Sequence, residues 1–369
     1  MRARIVSVVG ARPNYMKVAP LHRAFARYAD RVEHLIVHTG QHYDAEMSDV
    51  FFADLEMPTP ALFLGVGSGT HAQQTARIML AFEPVCLELR PRLVIVVGDV
   101  NSTIACALTA VKLGIPVAHV EAGLRSFDRT MPEEINRIAT DAISDYFFVT
   151  EPSGVENLQR EGAPHERIFL VGNTMIDSLL FALPKARAHP IRERLGVCAR
   201  EYVVVTLHRP SNVDNAEQLR MLLEVLGELA QWREVLFPMH PRTRQAVERF
   251  GLEELLQPLR VLPPLSYVEF LALLLDADFV LTDSGGIQEE TTYLGIPCLT
   301  LRSSTERPIT CQLGTNELVP PEAGALRAAL QRLRRGERKR GIVPPLWDGH
   351  AAERIARIVL ERCLHVPVE

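Results

Sequence analysis

The stretch Phe279–Glu290, FVLTDSGGIQEE, carries the reading of the fold. Phe279, Val280, Leu281 and Thr282 make a short apolar run of the kind that ends a buried strand. Asp283 and Ser284 follow, then Gly285 and Gly286, then an acid-bearing segment with helical character. A strand that passes through Ser-Gly-Gly into a helix lets bare backbone approach a ligand and aims a helix N-terminus at it. The stretch therefore reads as strand, phosphate-binding turn and helix.

Outward from it, the same alternation fills the chain. Strands are expected at Ile5–Val9, 34–40, 91–99, 115–123, 145–151 and 167–173, with helices over 15–29 and from about 100 through Lys112. After 181–197, a proline- and charge-bearing segment read as a bridge, strands restart at 202–208, 234–240, 260–265, 278–286 and 296–302, with a helix at about 215–231. Continuous β-branched runs suit parallel strands covered on both faces. Strand–helix alternation predicts α/β architecture: two Rossmann-like, doubly wound parallel-sheet lobes with the active site in the cleft between them. The expected division is 1–178 for the N-terminal lobe and 179–349 for the C-terminal one. A helix at about 350–366 rejoins the first.

Composition narrows the function. Of 369 residues, 47% are hydrophobic and 23% charged, as in an ordinary globular enzyme. A formal net charge of −5 gives no case for a nucleic-acid surface. The basic run RLRRGERKR, 332–340, reads as a solvated helix end and loop. Six dispersed cysteines form no CxxC pair, which argues against zinc and a disulfide framework and for a cytoplasmic protein with reduced thiols. No apolar run is long enough for a signal peptide or a bilayer span. GVGSGT, 65–70, has glycines in G-x-G-x-G spacing, which does not match a dinucleotide fingerprint, and there is no Walker A motif. No metal and no cofactor are expected.

Ionisable or anion-friendly residues gather where the strands stop. These are Arg12 with Lys17, Asp99, Glu121, His208, His240, and Asp283 through Gly286. Singly each has a structural reading. Asp99 suits a helix cap, and Glu133 and Glu134 stand at a helix start, where acids offset the dipole. Collected at one sheet edge they point to a shared active site.

Several long motifs then carry a resemblance: GARPNYMKVAP, GDVNST, HVEAGLRSFD, MPEEINR, VGNTMID, LHRPSNVDN, PMHPRTR, LTDSGGIQEE and TERPIT, in this order. Together they resemble the non-hydrolysing UDP-N-acetylglucosamine 2-epimerases over nearly the whole chain. The resemblance implies the GT-B type of two-lobed fold, a cytoplasmic homodimer, and a UDP-sugar as the small-molecule partner. It implies interconversion of UDP-N-acetylglucosamine and UDP-N-acetylmannosamine through elimination of UDP to a 2-acetamidoglucal. It also implies roles. Asp99, Glu121 and Glu133 match the family's important carboxylates, and His208 its active-site histidine. Arg12 and Lys17 match phosphate or substrate contacts, Ser284, Gly285 and Gly286 the diphosphate turn, and Glu290 the ribose contact. His240 and Arg307 are lesser candidates. Which carboxylate removes the proton stays open.

Two stretches depart from well-known bacterial members, which carry AQHR-like and HRRE segments where this chain has TGQHYD, 39–44, and HRPSN, 208–212. Those regions help form a second, allosteric site in substrate-activated members, so weak or absent activation is expected here. TGQHYD and RSFD also resemble epimerases of a diacetamido glucuronic acid nucleotide, the alternative substrate. A hydrolysing epimerase, a GT-B glycosyltransferase and a non-catalytic UDP-sugar sensor are the remaining rivals.

Overall fold

The computed structural model describes residues 2–41 and 52–366, and the side chain of Arg12 lies outside the described part. So do His42, Tyr43 and Asp44 of the TGQHYD stretch. The chain forms two compact units, Met1–Phe181 with Pro345–Glu369, and Ala182–Pro344.

The first unit is built on a parallel sheet of seven strands in the order β3-β2-β1-β4-β5-β6-β7. They are β1 (Ala3–Val9), β2 (Val32–His38), β3 (Leu62–Phe63), β4 (Leu93–Val97), β5 (Val117–Val120), β6 (Tyr146–Val149) and β7 (Ile168–Leu170). The second unit has six parallel strands in the order β10-β9-β8-β11-β12-β13. These are β8 (Tyr202–Thr206), β9 (Glu234–Pro238), β10 (Arg260–Leu262), β11 (Phe279–Thr282), β12 (Cys298–Leu301) and β13 (Asn316–Val319). Every residue of β4 and β11 is buried, as expected of strands with helices on both faces. In each unit the strand order reverses beside the first strand, between β1 and β4 and between β8 and β11. Such switch points open a crevice at the strands' carboxyl ends.

Three features were not read from the sequence. Segment 181–197, read as a bridge, is mostly helical: Thr174–Arg187 is one helix with Pro184 inside it, and Ile191–Leu195 is another. Buried Leu179, Ala182, Leu183 and Ala186 keep the i, i+3, i+4, i+7 spacing of one packed helix face, which outweighs the proline. Strands β3 and β13 went unread. β3 has only two residues, and β13 depends on buried Asn316. Thr300 Oγ1 donates to Asn316 Oδ1 at 2.6 Å, and Asn316 Nδ2 donates to Gln288 Oε1 at 2.9 Å, a polar pairing that hydrophobic periodicity does not signal.

The C-terminal helix Ala351–Ile358 packs on the helix Arg12–Ala26 of the first unit. Asp177 accepts hydrogen bonds from the Ala351 and Ala352 amides at 3.2 and 2.7 Å, satisfying donors at its free N-terminus. Among the described residues no helix is long and apolar enough to cross a membrane.

Candidate active site

In the first unit the switch point is lined by the ends of β1, β4 and β5. β1 ends at Gly10, where Asn14 Oδ1 accepts from the Gly10 and Ala11 amides at 3.0 and 3.1 Å and Nδ2 donates to the Val97 carbonyl at 3.1 Å. Asn14 thus ties the β1 turn to the end of β4. Helix Arg12–Ala26 starts there and carries Lys17, which is almost fully buried. Lys17 Nζ forms an ion pair with Glu121 Oε2. The two lie against Gly98: a Cβ added there would sit 2.7 Å from Lys17 Nζ, and the Gly98 φ of +67° is itself unfavourable for other residues.

Glu121 follows β5 with a φ of +70° and is 2% exposed. A non-glycine residue held there costs roughly 1–3 kcal/mol, and such strain gathers at functional sites. Asp99 follows Gly98 and is a quarter exposed, ion-paired with Arg137 Nη1. Arg137 also grips Glu134, with Nη2 and Nε at 2.6 and 2.9 Å from Oε2. Glu134 accepts in addition from the Ser126 and Phe127 amides, both at 2.9 Å. Burial pushes the Glu134 acid up, but these bonds outweigh it and hold the group below the usual carboxylate range. Glu133, one residue earlier on the helix Pro132–Ile143, is half-buried and makes no hydrogen bond or ion pair among the described residues. The adjacent glutamates therefore differ: Glu134 is committed to the framework and Glu133 is available.

In the second unit the corresponding ends are those of β8 and β11. Asp283 is fully buried and accepts from the amides of His208, at 3.0 Å, and Arg209, at 2.9 Å, and from Asn212 Nδ2 at 3.1 Å. Its Oδ1 lies 2.8 Å from His208 Nδ1. Burial raises the Asp283 acid, yet the His208 ring and the amides prevail and bring it down to about 2. His208 is 39% exposed, so a buried anion orients a solvent-facing imidazole. The His240 ring lies 5.5 Å away, and its Nδ1 accepts from the Arg242 amide at the start of the helix Pro241–Phe250.

Ser284 is the N-cap of the helix Gly285–Leu294, and its side chain makes no capping bond. The backbone amides of Gly285 and Gly286 thus stand in the first turn, where intrahelical acceptors are lacking. A Cβ at Gly285 would meet Arg307 Nη1 at 2.8 Å and Glu306 Oε1 at 2.9 Å, so the glycine lets the Arg307–Glu306 pair come against the turn. Arg307 Nε also lies 2.9 Å from Glu289 Oε1. Glu290, one turn along the same helix, is buried and accepts from Tyr267 Oη at 2.9 Å. Burial lifts its acid to about 7, with Tyr267 opposing and Glu289 adding.

The first unit thus brings Lys17, Asp99 and Glu121 to one sheet crevice, with Arg12 at the same turn and Glu133 in the first turn of the helix Pro132–Ile143. The second gathers His208, His240, Ser284, Gly285, Gly286, Glu290 and Arg307. Sequence reasoning missed Arg137 and Tyr267; it named Asp283 and Glu134, but not as the groups that hold His208 and Arg137. The i,i+3 spacing of Glu134 and Arg137 was a readable signal; the Tyr267–Glu290 bond, between distant segments, was not.

This arrangement has known counterparts. A family model described as UDP-N-acetylglucosamine 2-epimerase matches residues 25–360. A UDP-N-acetylglucosamine 2-epimerase of Methanocaldococcus jannaschii is 41% identical over 360 residues, covering 95% of this chain and 97% of the relative. The crystal structure of an enzyme of that name from the same organism, in complex with UDP-GlcNAc and UDP, superposes with a TM-score of 0.90 at 40% identity, covering 96% of this chain and 99% of the other. A UDP-2,3-diacetamido-2,3-dideoxy-D-glucuronate 2-epimerase of Pseudomonas aeruginosa is 42% identical over 322 residues, 86% of this chain and 88% of that protein. With two parallel α/β sheets, acids at one switch point and a Ser-Gly-Gly helix start at the other, the chain belongs to the UDP-N-acetylglucosamine 2-epimerase family.

Proposed function

We propose that the protein reversibly converts UDP-N-acetylglucosamine to UDP-N-acetylmannosamine by anti elimination of UDP and its re-addition. The observation that carries this reading is the set of carboxylates in distinct settings: Asp99 on Arg137, Glu121 on Lys17, and Glu133 unengaged. The hydrogen on sugar carbon 2 has no adjacent carbonyl, so direct abstraction is hard. Departure of UDP from carbon 1 develops positive charge there and acidifies that C–H. Proton loss gives the 2-acetamidoglucal, and protonation on the opposite face with return of UDP gives the epimer. The sequence of steps is redox-neutral and calls for no nicotinamide and no metal.

Asp99, Glu121 and Glu133 supply acid and base to the two faces of the sugar, for which differently set carboxylates are suited. Ser284, Gly285 and Gly286 receive the diphosphate at the helix start, assisted by Arg12 and Arg307. His208, whose Nδ1 is taken by Asp283, offers Nε2 to the departing phosphate, with His240 beside it. Glu290 takes the ribose hydroxyls. Lys17 acts through Glu121 in the free protein, where the two are paired. The enzyme is proposed to work as a cytoplasmic homodimer, a state that sedimentation measures.

The test is proton NMR of UDP-N-acetylglucosamine with the protein in deuterated water. UDP-N-acetylmannosamine with deuterium at carbon 2 of both sugars is the expected result. Free N-acetylmannosamine and UDP as sole products would mean hydrolysis instead. No turnover by folded protein would send the assignment to the diacetamido uronic acid nucleotide, the substrate in the name of the 42% identical relative.

A further inference from the structure

We propose that His119 is a positioning residue that carries hydrogen on both ring nitrogens and locks the Asp99 turn to the Glu121 turn. The inference rests on the reading above in one respect, that Asp99 and Glu121 act on the sugar.

His119 lies within β5 and is wholly buried. Its Nε2 is 2.8 Å from the Gly98 carbonyl oxygen and its Nδ1 is 2.6 Å from Asp141 Oδ1. A carbonyl oxygen only accepts, so Nε2 bears hydrogen. The other oxygen of Asp141 accepts from the Gly123 amide at 3.0 Å and lies 2.7 Å from Arg125 Nη2. Burial raises the Asp141 acid, but His119 and Arg125 outweigh it and keep the group below the ordinary carboxylate range. Asp141 Oδ2 is taken by the Arg125 guanidinium and the Gly123 amide, the setting of a carboxylate, so Oδ1 accepts from His119 and Nδ1 bears hydrogen as well. Arg125 is balanced in turn by Glu161, 2.5 Å from Nη2. The result is a chain His119–Asp141–Arg125–Glu161 of alternating charge. Alternation matters, because a buried ion without a partner costs several kcal/mol.

The chain grips backbone at three points: the Gly98 carbonyl, the Gly123 amide and, through Arg125 Nη1 at 2.8 Å, the Leu124 carbonyl. Gly98 precedes Asp99, and Gly123 lies two residues after Glu121. The φ of +70° at Glu121 needs surroundings that fix it from more than one side. Lys17 and Glu121 face Gly98, and His119 with Asp141 binds its carbonyl. A singly protonated imidazole would keep both bonds only with the proton on Asp141, which would take a charged partner from Arg125.

The experiment uses the protein labelled with 15N-histidine, the His119 signal being identified among the 12 histidines by its loss in His119→Gln. Two protonated ring nitrogens at about pH 7.5 are expected, and an unprotonated one overturns the proposal. Kinetics supply a second reading. Asp141→Ala removes the acceptor of both His119 Nδ1 and the Gly123 amide, so the lock is lost from its other end. Both variants should lose about ten-fold or more in kcat while inhibition by UDP stays within about two-fold, since the reacting acids and not UDP binding are disturbed. A kcat close to wild type, or kcat and UDP affinity falling by the same factor, overturns the positioning role. If wild-type protein fails to turn over UDP-N-acetylglucosamine, the functional reading fails separately, and the NMR proton count alone decides the lock.

Discussion

Lys17 Nζ and Glu121 Oε2 form an almost fully buried ion pair against the α-carbon face of Gly98. Such a pair is weak evidence for net stability, yet breaking it from one side is costly because the other charge remains buried. Glu121→Gln should therefore lose about 3–5 kcal/mol in urea unfolding. Adding Lys17→Met should recover most of that loss, and both proteins should be inactive. A double variant less stable than Glu121→Gln would show that the two groups do not couple.

The neighbours Glu133 and Glu134 should separate function from framework. Glu134 holds Arg137 and the Ser126 and Phe127 amides, whereas Glu133 has no such duty. Glu134→Gln is expected to lower the melting temperature by several degrees, because Arg137 loses a buried counter-charge. Glu133→Gln should leave melting unchanged and reduce kcat by about a hundred-fold or more, as for a group acting in proton transfer. Calorimetry and the initial rate on UDP-N-acetylglucosamine measure both. Equal effects from the two variants would remove the distinction.

Much of this was legible in sequence because parallel strands write themselves as continuous apolar runs, and the polar residues that follow mark the crevice edge. Gly98-Asp99, Glu121, His208 and Ser284-Gly285-Gly286 all announced themselves that way. What stayed hidden was the second partner of each. Lys17 read as a phosphate or substrate contact, and its buried pairing with Glu121, 104 residues away, carried no local signal. Tyr267 carried no signal in the sequence, and its bond to Glu290 spans 23 residues. Local pattern gives a residue's place on a strand or helix; it does not give the long-range neighbour that fixes its charge.

The acid of Glu290, raised to about 7 by burial, gives a signed dependence on pH. Between about pH 4.5 and 7 the folded protein holds a proton that the unfolded chain releases, so stability falls as pH rises through that window. The contribution is on the order of 3 kcal/mol, from a shift of two to three pH units. Asp283, brought down to about 2, acts in the opposite sense, its stabilisation being lost as pH falls below about 4. Urea unfolding of Glu290→Gln against wild type from pH 5 to about 8 should show a flatter profile for the variant. Parallel profiles would mean that Glu290 does not titrate there.

Pro210 opens the short helix Pro210–Val213 directly after His208-Arg209, and Ser211 follows it. Neither residue can supply the Arg–Glu pair carried in this region by substrate-activated members of the family. Rate against UDP-N-acetylglucosamine should therefore be hyperbolic, and UDP-N-acetylmannosamine should react without added UDP-N-acetylglucosamine. A sigmoidal curve, with the reverse reaction rescued by that addition, would show that activation is retained.

Gly285 makes the last prediction, because two demands meet on its missing side chain. Its backbone amide stands in the first turn of the helix, and the Arg307–Glu306 pair occupies the space a methyl group would need, at 2.8 and 2.9 Å. Withdrawal of Arg307 would disturb its ion pairs with Glu306 and Glu289. In Gly285→Ala either the turn or the arginine must move by several tenths of an ångström. UDP binding by calorimetry should weaken about ten-fold, which is about 1.4 kcal/mol. The pattern in kinetics should be a raised KM with a smaller change in kcat, the signature of lost binding shared by ground and transition states. Unchanged UDP affinity in Gly285→Ala would mean that the diphosphate does not sit at this helix start, and the assignment of Ser284, Gly285 and Gly286 would have to be abandoned.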